Sequence, residues 1–177
     1  MNDTRVTGLA AWPEQRWPWI LLATTATALT LTALYFQHVM GLEPCEQCIY
    51  QRTAIIALAL AAWLTVINPK LLILRIFGYG SWLWASIAGF SIAHYHVWIQ
   101  TGINAMFVSC NLEPNFPSWL PLHDLMPNVF AVTGLCSDAD WSFFGLAMSQ
   151  WMRIIFASYI SAAIIIISCR LWRLRRL

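Results

Sequence analysis

Four stretches of this chain are apolar enough and long enough to cross a bilayer, which narrows the possible folds more than any motif. Trp19–Phe36 carries no charge, and Ile49–Ile67 is apolar except for Gln51 and Arg52 near its start. Leu71–Ala93 is interrupted only by Arg75, and Trp151–Cys169 only by Arg153. At about 1.5 Å per residue, each covers most or all of the roughly 30 Å of hydrocarbon in a membrane. A helix is expected for each, because lipid offers no partner to exposed backbone groups. Composition agrees: 59% of the 177 residues are hydrophobic, 10% are charged, and the mean hydropathy is +0.61. A soluble domain carries about 25% charged residues. The expectation is one integral membrane domain over 1–177, all-α, with spans near 19–36, 49–67, 71–93 and 151–169. The first span lacks a small-x-small cleavage site after its apolar run and is not read as a signal peptide. The eleven Trp suit membrane interfaces, and a net charge of +2 gives no reason to expect nucleic acid.

Basic residues orient the spans. Arg5 and Arg16 precede the first, Lys70 and Arg75 flank the turn between the second and third, and Arg170, Arg173, Arg175 and Arg176 follow or end the fourth. Between Arg75 and Arg153 there is no Lys or Arg, while Glu113, Asp124, Asp138 and Asp140 all lie there. Positive loops stay cytoplasmic, so both termini and the Asn68–Pro69–Lys70 turn are expected inside, with 37–48 and 94–150 outside. Arg52 and Arg153 break the pattern and fall at the outer ends of their helices. The long outer segment is too polar and Pro-rich to span. Its middle, Phe116–Val129, is read either as a surface-lying piece with its apolar side down or as a loop packed on the helix ends.

Four of the five cysteines then lie outside the membrane, where disulfides persist. Cys110 and Cys136 suit a structural staple or a redox pair. Cys45 and Cys48 suit a staple poorly, because a bridge across two residues closes almost no loop. Reversible thiol–disulfide exchange explains such a pair better. Cys48 begins the second span, where the helix dipole and free N–H groups stabilise a thiolate, and Glu46 opposes this slightly. Arg52, four residues on, shares the face of Cys48 one turn deeper. A charge there is costly without a partner. It either snorkels to headgroups or stabilises negative charge on Cys48 or on a lipid-soluble acceptor. Arg153 is expected to snorkel. A four-thiolate zinc site matches the cysteine count, but Cys110 and Cys136 are widely separated and the compartment is oxidising, so no metal is expected. Cys169 falls at the inner end.

The stretch Leu34–Tyr35–Phe36–Gln37–His38–Val39–Met40, followed by Pro44–Cys45–Glu46–Gln47–Cys48–Ile49–Tyr50–Gln51–Arg52, resembles the disulfide bond formation protein B (DsbB) family. So do Phe116–Pro117–Ser118–Trp119–Leu120–Pro121–Leu122, Gly134–Leu135–Cys136 and Trp141–Ser142–Phe143–Phe144–Gly145–Leu146, and the likeness runs over nearly the whole chain. It implies a four-transmembrane-helix bundle in the bacterial inner membrane, with a long periplasmic loop containing a short interfacial helix. It also implies a periplasmic, thioredoxin-fold partner similar to DsbA, and a membrane quinone (ubiquinone or menaquinone) as electron acceptor. On this likeness Cys110 accepts attack from the partner, Cys136 completes the loop disulfide, and electrons pass to Cys45–Cys48. Cys48 meets the quinone with Arg52 beside it, and His96 is the nearest match to a family histidine proposed there. Competing expectations are a thiol–quinone reductase similar to vitamin K epoxide reductase, and a cysteine-stapled or metal-binding membrane scaffold without catalysis.

Overall fold

The computed structural model describes residues 12–101, 108, 110–137 and 141–174, the last two as backbone only. Arg5, Asp138, Asp140, Arg175 and Arg176 of the charge pattern lie outside these residues. Four long helices dominate: α1 (Arg16–His38), α2 (Glu46–Ile67), α3 (Leu72–Ile99) and, after the long loop, a fourth running Met148–Leu174. All four are long and apolar enough to cross a membrane. The loop adds two short helices, α4 (Leu122–Leu125) and α5 (Pro127–Phe130), which make the closing helix α6. It also holds a small antiparallel hairpin of β1 (Ser142–Phe143) and β2 (Leu146–Ala147).

α1 is rich in threonine, yet it suits lipid because its hydroxyls bond back to its own carbonyls. Thr24, Thr27, Thr30 and Thr32 donate to the carbonyls of Ile20, Ala23, Ala26 and Ala28 at 2.7–3.1 Å. Each side chain thereby removes its own polarity from the hydrocarbon. α3 runs beyond Ala93 to Ile99, carrying His94, Tyr95 and His96 as helix. Hydropathy marks where lipid ends, whereas the helix continues as long as its backbone bonds are made. That extension places His96 inside the bundle rather than in a loop.

α1 packs on α2, α2 on α3 and α3 on α6. The common core contains Trp19, Leu22 and Ala26 of α1, Ile55 and Leu58 of α2, Tyr79, Trp82 and Ala85 of α3, and Phe156 and Ala163 of α6. Small residues let the helices approach closely, as membrane packing favours. Gly89 is the sharpest case, since a methyl group there would run into the ring of Phe156. α1 and α6 face each other across two cavities, one toward the cysteine end and one toward the other end. The hydroxyl of Tyr159 crosses between them to Thr25 Oγ1 at 3.0 Å.

The basic residues that orient the chain gather at the end remote from the two cysteine pairs. Arg16 donates to the Ile67 carbonyl at 3.1 Å, while Arg75 and Arg170 reach Glu14 at 3.6 and 2.6 Å. Arg170 is fully buried, so it ties helix ends together instead of standing in solvent. The Phe116–Val129 stretch packs on the end of α2 and keeps an exposed apolar side. Phe116 packs against Tyr50, His123 and Phe130, while Trp119, Leu125 and Met126 present exposed apolar surface.

Candidate functional site

Pro44 holds the chain extended ahead of α2, and Cys45 takes the N-cap position with its Sγ accepting from the Cys48 N–H at 3.4 Å. The first helical turn therefore brings the sulfurs of Cys45 and Cys48 to 2.9 Å, as thiols. A hydrogen bond to Cys48, reinforced by burial, pushes the Cys45 thiol far above its usual range.

Three polar side chains surround the pair. His96, buried on α3, sets Nε2 3.6 Å from Cys45 Sγ and 3.3 Å from the Cys136 carbonyl oxygen. Its Nδ1 meets Gln51 Nε2 at 3.2 Å. Arg52 is buried rather than snorkelling, and its Nη1 donates to Gln37 Oε1 at 2.6 Å and to the Val129 carbonyl at 2.5 Å. Its Nε lies buried with no hydrogen-bond partner among the described residues. A donor in that state costs free energy unless something accepts from it.

Cys110 and Cys136 form a disulfide with Cα atoms 5.8 Å apart. This bridge packs against Cys45, Cys48, Val108 and Ile99, so both cysteine pairs share one small cluster. Two attachments hold the loop over α2. The N–H groups of Thr133 and Gly134 donate to the Pro44 carbonyl at 3.0 and 3.1 Å. On the other side Glu46, buried between the cysteines, accepts from Asn111 N and Nδ2 at 2.9 and 3.2 Å and from Tyr50 Oη at 3.0 Å. Tyr50 Oη in turn accepts from Asn115 N at 2.7 Å.

Beside Cys48 opens a cavity between α1, α2, α3 and the start of α6. Gln37, Gln51, Arg52 and His96 line it with polar groups, and Phe36, Trp141, Met148 and Met152 with apolar ones. Of the expected site residues, Cys48, Arg52 and His96 thus meet at one cavity, with Cys45 against Cys48 and His96 and the Cys110–Cys136 bridge adjacent. Cys169 is on α6 near its far end and takes no part. Gln37, Gln51 and the Glu46 attachment were not assigned by sequence reasoning. Gln37 and Gln51 stand within the motifs, but only their contacts reveal what they do. With Cys110 and Cys136 bridged, the four-thiolate metal set does not exist here.

A helical, membrane-spanning bundle with a C-x-x-C pair stacked on a second cysteine bridge defines a membrane-embedded, disulfide-forming oxidoreductase. Residues 15–166 match the family model "Disulfide bond formation protein DsbB". A disulfide bond formation protein B of Pseudoalteromonas translucida (strain TAC 125) is 43% identical over 169 residues, covering 96% of this chain and 98% of that protein. Those of Idiomarina loihiensis and Haemophilus influenzae (strain ATCC 51907) are 42% and 41% identical, covering 90% and 86% of this chain and 88% and 85% of theirs. The chain belongs to the DsbB family.

Proposed function

We propose that this protein reoxidises a periplasmic, DsbA-like thioredoxin-fold protein and passes the electrons through its two cysteine pairs to a membrane quinone. The observation that carries this reading is the shared cluster. The loop bridge lies against Cys45, and Cys48 faces a cavity lined by Arg52 and His96. The partner's dithiol would attack Cys110, pass through a mixed disulfide, and leave oxidised while Cys110 and Cys136 become thiols. Those thiols would then reduce the Cys45–Cys48 disulfide and re-form their own bridge. Each exchange moves two electrons and needs a thiolate, an accessible sulfur and a good leaving thiolate.

A quinone fits the cavity on one observation above all: Arg52 Nε, buried and unpartnered among the described residues, would take an acceptor such as a ring carbonyl. Arg52, Gln51, Gln37 and His96 would hold its oxygens, with Phe36, Trp141 and the methionines against its ring. Bound there, it would supply an acceptor for two electrons and two protons. Arg52 would stabilise the Cys48 thiolate and any negative charge opposite it. The basic end of the bundle supports termini in the cytoplasm and the two cysteine pairs in the periplasm.

The test is anaerobic: reduced thioredoxin-fold partner is added to quinone-loaded protein in membranes and quinone absorbance is followed. Loss of the oxidised-quinone band, abolished by Cys48→Ser, is the expected result. A band that stays constant in the wild-type protein refutes the reading, as does full activity in Cys48→Ser.

A further inference from the structure

We infer that the reduced Cys45–Cys48 pair and His96 form a binding site for a thiophilic divalent cation, Zn²⁺ above all, which oxidation of the pair closes. Cys45 Sγ, Cys48 Sγ and a ring nitrogen of His96 all lie within 4.8 Å of one another, buried or half-buried. No other such trio of Cys, His or carboxylate groups occurs among the described residues. The ligand set is two soft sulfurs and one imidazole, the kind Zn²⁺ takes in tetrahedral sites with a fourth position open.

The distances favour this geometry. Tetrahedral bonds of about 2.3 Å to sulfur and 2.0–2.1 Å to nitrogen require about 3.8 Å between sulfurs and about 3.6 Å from sulfur to nitrogen. Cys45 Sγ to His96 Nε2 is already 3.6 Å. The sulfurs stand at 2.9 Å, so they must open by about 0.9 Å, which a side-chain rotation at half-buried Cys48 supplies. Cys45 as N-cap and Cys48 in the first turn place both sulfurs on one side of the helix start. Gln51 already touches His96 Nδ1. With its amide turned to accept from Nδ1–H, the imidazole keeps a lone pair on Nε2, as metal-bound histidines require.

Coordination would release both thiol protons to solvent, replace the His96 Nε2 contact with the Cys136 carbonyl and move the ring proton to Nδ1, where the turned Gln51 amide accepts it. It would tie up both thiolates, so a metal-loaded pair could not form its disulfide. An oxidised pair would offer the cation only His96. Arg52 opposes the cation's charge, but two thiolates neutralise Zn²⁺ and leave Arg52 where it stands. The site rests on these three side chains and not on the electron-transfer reading, so either can fail alone.

The full chain carrying Cys110→Ser, Cys136→Ser and Cys169→Ser, in nanodiscs, isolates the remaining pair. Titrating Co²⁺ into the phosphine-reduced protein should give one equivalent with intense thiolate-to-cobalt absorption, bleached by Zn²⁺. The oxidised protein should give none. Losing a supporting second-layer group costs about 10–100-fold in metal affinity, so Gln51→Ala should weaken binding about 10-fold and His96→Ala at least 100-fold. His94→Ala, exposed on the same helix, should change nothing. The inference is overturned if reduced protein with native helical circular dichroism shows no thiolate–cobalt band. It is also overturned if His96→Ala binds as tightly as the parent, or if the oxidised form binds equally well.

Discussion

Glu46→Ala should release the cysteine loop from α2 without disturbing the helices. The Glu46 carboxylate accepts three hydrogen bonds, two of them from Asn111 next to Cys110 and one from Tyr50, and it is 5% exposed. A hydrogen bond to a charged group contributes about 1.5–3 kcal/mol, so the two that cross from Asn111 come at the low end to about 3 kcal/mol. Undocking returns the loop groups to water and the bonds are not additive, which removes about a third. The remainder, about 2 kcal/mol, is roughly 30-fold in the docked fraction. Hydrogen–deuterium exchange over 110–116 reads this directly, since Asn111 N–H is one of the donors. Its exchange should accelerate about 30-fold, while amides in the middle of α2 and α3 keep their protection. Electron transfer from the loop pair to Cys45–Cys48, followed by alkylation trapping in a single turnover, should slow. Unchanged exchange at Asn111 would mean that the Pro44 contacts alone hold the loop, and the reasoning would fail.

Arg52→Ala should raise the quinone concentration needed for half-maximal rate by about 10–100-fold, the worth of one charge-assisted hydrogen bond, with helical circular dichroism unchanged. A wild-type quinone dependence would remove Arg52 from the cavity's function. Gly89→Ala forces a methyl group into the Phe156 ring and should lower stability by about 1–3 kcal/mol, seen as a lower thermal midpoint. Pairing it with Phe156→Leu should recover part of the loss, and no recovery would argue against that contact. Cys169→Ser should leave turnover within about twofold, because that thiol lies at the opposite end of the bundle from the cysteine pairs. A large loss in a quinone-reduction assay would contradict this.

The features that were legible in sequence are those whose physics is local. Span length, the charge asymmetry and the C-x-x-C at a helix start need only neighbouring residues, and the four helices and the Cys45–Cys48 geometry follow from them. Arg52 was placed on the face of Cys48 by helix period alone, but its bonds to Gln37 and Val129 join distant parts of the chain. Glu46 shows the limit most clearly. Beside two cysteines it reads as a charge opposing a thiolate, whereas its carboxylate turns to a loop 65 residues away. The same holds for His96, whose contact with Cys45 depends on α3 continuing past the apolar run. Arg170 reads as one of several basic residues orienting the last span until Glu14, near the other end of the sequence, is seen to meet it.

The gap between α1 and α6 has a kinetic consequence. The cavity at Cys48 is walled by both helices, which do not close on each other there. On the quinone reading, the oxidant arrives sideways along the plane of the membrane. Its supply is then counted per lipid rather than per litre. Adding buffer to a vesicle suspension would leave each molecule's rate untouched, whereas spreading the same oxidant through more inert lipid would lower it in proportion.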